Sequence, residues 1–96
     1  MPPDGRTIEI FFPDLAPITG ERIYRVHDFT EELVFALRHN GLGELPLEEA
    51  DSATDRYRIT KIKKRNLRRC VAFVNDSLKK HNLHAEVSEV TETDDA

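Results

Sequence analysis

The chain has 96 residues, 39% of them apolar and 33% charged, and a formal net charge of −4. That supports one modest hydrophobic core and excludes two. No apolar run exceeds the five residues Leu33 to Leu37, against the roughly 20 that a membrane-spanning helix needs.

The composition therefore predicts a soluble protein without a membrane partner, with residues 1–92 forming a single α+β domain and 93–96 an acidic disordered tail. The lone Cys70 rules out an internal disulfide, and the first residues have neither the basic nor the apolar region of a signal peptide. Both features lead to a cytoplasmic expectation.

In chain order, Thr7 to Phe12 places Ile8, Ile10 and Phe12 at period two, which predicts a half-buried first strand with Glu9 and Phe11 on its other face. Residues 13–20 hold two prolines and a glycine and read as a loop. Ile23 to Val26 reads as a short extended piece. Asp28 and Glu31 have capping-box spacing before Phe29, Leu33, Ala36 and Leu37, predicting a helix over 29–40. Gly41 and Leu42 supply its stop.

Residues 44–50 and 56–63 read as two strands joined by the turn DSATD, with Pro46 making the first an edge or irregular strand. Asn66 then caps a second helix with Leu67, Cys70, Val71, Val74 and Leu78 on one stripe, ending near Asn82. A last strand spans 84–90. The order strand, helix, strand, strand, helix, strand predicts a ferredoxin-like βαββαβ two-layer sandwich, four antiparallel strands with two helices on one face. The run Gly41-Leu42-Gly43-Glu44-Leu45 between helix and hairpin resembles small uncharacterised bacterial proteins of that fold. The resemblance implies the fold and no activity.

Charge is sorted along the chain. Residues 1–55 carry four bases and twelve acids, 56–84 ten bases and one acid, and 85–96 five acids and no base. One purpose is local: Glu44, Glu48, Glu49 and Asp51 on the first hairpin arm would face Arg56, Arg58, Lys61 and Lys63 on the second and fix its register. Lys63 belongs equally to the group that follows, Lys64, Arg65, Arg68 and Arg69, where cations oppose the dipole of the second helix and suit a bound anion or acidic partner. Phe73, near Arg69 and Lys80 on the helix surface, either extends that surface or packs sideways against the first helix. Phe35 lies opposite the buried face of the first helix beside Arg38 and marks a second interface candidate, with a partner, another copy of the chain or the 13–20 loop.

An RNA-recognition platform needs a basic-Gly-aromatic-small-aromatic third strand, whereas Arg56 to Ile62 has one aromatic and no glycine. Nothing indicates an enzyme, cofactor or metal. The four histidines lack paired ligand spacing, no phosphate-binding glycine loop occurs, and Cys70 falls on the buried stripe. The sequence thus predicts a noncatalytic protein-binding or self-associating module. Its alternatives are an anion- or nucleic-acid-binding domain using segment 56–69, and an immunity-type inhibitor acting through charge complementarity.

Overall fold

A computed structural model describes residues 5–13, 21–50 and 54–90. The alternation of Ile8 and Ile10 with Glu9 and Phe11 makes β1 (Gly5–Phe11) a strand with one buried face. It is the central strand of an antiparallel sheet in the order β2-β1-β3, with β2 (Arg56–Lys63) and β3 (Glu86–Val90) on either side. The pairing sets Ile10 against Tyr57 on one flank and Val87 on the other.

The expected four-stranded ferredoxin-like sandwich does not form: among the described residues the sheet has three strands. The predicted strand over 44–50 is reduced to one bridge, in which Glu44 and Thr60 exchange two N–H···O bonds of 2.9 Å. Continuing that register would set Pro46 against Arg58, and proline has no N–H to give the ladder. The chain turns instead into a single helical turn, α2 (Leu47–Ala50), where Glu49 and Ala50 donate to the Pro46 carbonyl at 3.0 Å.

The first helix, α1 (Glu21–Asn40), is longer than expected. Ile23 to Val26, read as extended, belongs to it, because Val26, Phe29, Leu33 and Leu37 continue one apolar stripe. Asp28 consequently lies inside the helix and caps nothing. The stop is as the sequence predicts: Gly41 adopts φ 63°, and Leu42 N–H reaches back to the Leu37 carbonyl at 3.0 Å. The second long helix, α3 (Leu67–Lys80), ends the same way, with Asn82 at φ 55° and Leu83 N–H bonded to the Leu78 carbonyl at 2.9 Å.

Ile8, Ile10, Tyr57 and Ile59 meet Phe29, Leu33 and Leu37 of α1 and Cys70, Val74 and Leu78 of α3 in one core. Phe12 closes one end through edge-on contacts with Phe29 and Tyr57, both at 6.1 Å between ring centroids. Thr30 is fully buried, and its hydroxyl donates to the Ala50 carbonyl at 2.9 Å, tying α2 to α1.

A β-bulge interrupts the β1–β2 register between the pairs Arg6–Ile62 and Ile8–Ile59. Thr60 and Lys61 there oppose the single residue Thr7, and Lys61 takes φ 57°. Ile59 and Ile62, three apart, would face opposite sides of a regular strand; the extra residue brings both into the core. The acidic tail at 93–96, most of the 13–20 loop and Asp51 lie outside the described residues.

Candidate functional site

At Lys63 the backbone is still extended, with φ −68° and ψ 141°; Lys64–Asn66 then form one 3₁₀ turn leading directly into α3. Within α3 the stripe Leu67, Cys70 and Val74 points inward, so Arg68 and Arg69 point to solvent. Asn66 makes no side-chain cap bond to α3, contrary to the expected N-cap. Its Nδ2 donates instead to the Gly41 carbonyl at 3.4 Å, holding the basic turn against the end of α1.

Lys63, Lys64, Arg65, Arg68 and Arg69 are all exposed, and none is within ion-pair distance of an acid among the described residues. Some other cations of the fold are matched, whereas Arg38 and Lys79, exposed and apart from the cluster, also have no acid within ion-pair distance among the described residues. Arg56 and Arg58 both reach Glu9 on β1, at 3.3 and 3.4 Å, and Lys61 reaches Glu44 at 3.5 Å. Of the hairpin pairing predicted from sequence, the Lys61–Glu44 pair is present, while Arg56 and Arg58 turn to Glu9 of the central strand; Asp51 lies outside the described residues. This leaves five like charges around a helix start whose dipole has the same sign.

Aromatic side chains do not join this cluster as free faces. Phe73, read from the sequence either as part of the basic strip or as packing sideways, is half-buried against the core. Tyr57 is 2% exposed, and its phenol is raised from its ordinary pKa chiefly by burial. Phe11 does lie on the helix-free face of the sheet, as the sequence implied, but the Arg56 guanidinium covers it at 4.5 Å from the ring centroid.

Phe35 is 64% exposed among the described residues and sits with Arg38 in a shallow depression on α1. Arg38 also borders a groove of about 330 Å³ shared with Leu37, Gly43, Glu44, Pro46 and Lys61. Sequence reading assigned nothing to this groove, because the bulge that turns Lys61 toward Glu44 leaves only a broken alternation, Tyr57, Ile59, Ile62, as its trace.

Sequence reading also missed the carboxylate that joins the middle of α1 to the end of α3. Glu32 on α1 accepts from Lys80 Nζ at 2.7 Å and from His81 Nε2 at 2.6 Å. These two bonds, Lys80 first, hold its carboxyl below the usual range. Cys70 is buried, and burial pushes its thiol up to about 11, so it is not a thiolate nucleophile near neutral pH. Among the described residues no group of three or more His, Cys, Asp or Glu is placed to hold a metal ion, and no helix is long and apolar enough to cross a membrane. No protein-family model, curated protein or solved structure matches the chain.

Proposed function

We propose that this chain is a noncatalytic binding module that docks an acidic segment of a partner protein on Lys63, Lys64, Arg65, Arg68 and Arg69. The observation that carries the reading is the contrast in charge pairing: Arg56, Arg58, Lys61 and Lys80 have acids at 2.7 to 3.5 Å, and these five have none among the described residues. Like charges crowded at a helix start repel one another and the dipole, so an incoming carboxylate relieves repulsion as well as gaining attraction.

A protein segment is favoured over nucleic acid by the same geometry. Single-stranded nucleic acids are held by charge together with stacking on open aromatic faces, and Tyr57, Phe73 and Phe11 are respectively buried, half-buried and covered by Arg56. The twelve acids of residues 1–55 also repel a long polyanion, whereas a short acidic peptide experiences mainly the local cluster within about 8 to 10 Å.

The test is a titration of fluorescent hexaglutamate and of a single-stranded RNA hexamer against the wild type and the double variant R68A/R69A, at low and physiological salt. The peptide should bind the wild type, lose affinity with salt and lose more in the variant. Absence of peptide binding at low salt overturns the reading, and RNA binding tenfold tighter than the peptide replaces it with a nucleic-acid one.

A further inference from the structure

Tyr24, Asp28, Glu31, Phe35 and Arg38 of α1 are all exposed and follow one another at intervals of four, three, four and three. They therefore form one stripe along the helix, on the side away from the buried Val26, Phe29, Leu33 and Leu37. Tyr24 is 72% exposed, and with Phe35 it gives the stripe two large aromatic faces. That interval pattern is the seam along which one helix packs on another at a crossing angle near 20°.

The charges of the stripe are not matched within the chain. Asp28 and Arg38 have no oppositely charged group within ion-pair distance among the described residues. They stand ten positions apart, about 15 Å along the helix, too far to meet each other. Arg25, one turn before Asp28, donates instead to the Asn82 carbonyl at 3.3 Å. Glu31, one turn after it, adds a second acid and lies 3.8 Å from His27. The first half of the stripe is thus acidic and the last turn basic, a pattern that complements its own reverse.

We propose that this stripe packs against the same stripe of a second copy of the chain, the two α1 helices antiparallel, with Asp28 of each copy facing Arg38 of the other. Charge selects that register from the few the intervals allow. A parallel pair in register sets every charge against itself. Among antiparallel pairs, one register sets Asp28 against Arg38 and Glu31 against Phe35, each twice by symmetry. A shift of seven residues one way sets Asp28 against Glu31, acid on acid, and a shift the other way carries Asp28 past the end of the facing helix at Asn40. In the favoured register the two Phe35 levels are about 6 Å apart along the helices, within reach of each other at the usual helix separation of about 8 to 10 Å. Lys63, Lys64, Arg65, Arg68 and Arg69 are not in this seam, so self-association and acidic-segment binding stand or fall separately.

A contact of two helix faces lies at the small end of specific interfaces, near 1,200 Å² or roughly below it, so the test needs high protein concentration. Sedimentation equilibrium of the full chain from about 10 μM to about 1 mM, at low salt, compares the wild type with D28R, R38E and D28R/R38E, each checked for unchanged helix content. The wild-type mass should rise with concentration from one chain toward two. Each single variant should associate at least about tenfold more weakly, because it places like charges opposite each other twice. The double variant should return to within about threefold of the wild type. D28R lowers the net negative charge of the chain and R38E raises it, so an effect of overall charge would move the two in opposite directions, and that result overturns the proposal. A wild type that stays monomeric throughout overturns it as well. Association that both single variants leave unchanged places the contact elsewhere on the molecule, and a double variant as weak as the singles contradicts the facing of Asp28 and Arg38.

Discussion

A Cβ placed on Gly43 would come within 2.8 Å of Ile59 Cγ2. The same atom would stand 2.9 Å from Ile62 Cγ1 and 3.1 Å from the Thr60 carbonyl oxygen, and Gly43 has φ 138°, where side-chain-bearing residues are strained. Gly43 is thus the lid on the bulge that turns two isoleucines into one core. Gly43→Ala should destabilise the fold by about 2 kcal/mol or more, measured by urea denaturation. A loss below about 0.5 kcal/mol would show that the 43–44 backbone does not pack on β2 as described.

Lys61 tests the bulge from the other side. Its φ of 57° suits glycine and is poorest for a β-branched residue. Lys61→Gly should leave stability unchanged or raise it by up to about 1 kcal/mol, whereas Lys61→Val should lower it by about 1 to 2 kcal/mol. Denaturation midpoints that rank valine above glycine would contradict the left-handed conformation.

The elements that were legible in the sequence are those in which one local signal dominates. Ile8, Ile10 and Phe12 announce a strand whatever surrounds them, and Gly41-Leu42 ends α1 by a backbone geometry that glycine favours. Where two signals compete, tertiary context decides. Ile23 to Val26 has strand-like β-branched residues, yet Val26 is in register with Phe29 and Leu33 and is drawn into the helix. Residues 44–50 alternate like a strand only until Pro46 withholds its N–H, after which Leu47-Glu48-Glu49-Ala50, all good helix formers, close a turn.

The basic residues of the candidate site were legible as a cluster, because composition alone reveals them. Their lack of acidic partners among the described residues was not, since it depends on Glu9 lying beside Arg56 and Arg58 across the sheet. The Glu32 junction was equally hidden: residues 49 positions apart meet there only once both helices pack.

That junction has a pH signature. The bonds from Lys80 and His81 hold the Glu32 carboxyl below its ordinary value, so its folded-state pKa is depressed. The stabilisation it provides is present above the ordinary carboxylate pKa and is lost as pH falls through the lowered one. Thermal melts in acid should show wild type losing stability more steeply than Glu32→Gln as pH drops below about 4. Parallel curves for the two proteins would mean that the junction contributes no differential proton binding.

Cys70 should be chemically silent in the folded protein. With its thiol pushed up to about 11 and buried in the core, alkylation by iodoacetamide at neutral pH should be slow in buffer and accelerate on unfolding in guanidinium. Equal rates under both conditions would place the thiol outside the core, and with it the inward stripe of α3.

The binding claim is tested most directly by following backbone amide resonances of the 15N-labelled protein during titration with hexaglutamate at low salt. The largest shifts should fall on residues 63–69, saturate with one dissociation constant and diminish as salt is added. Saturable shifts confined instead to the Phe35 and Arg38 surface of α1, or no saturable shifts at all, would contradict a binding site at the start of α3.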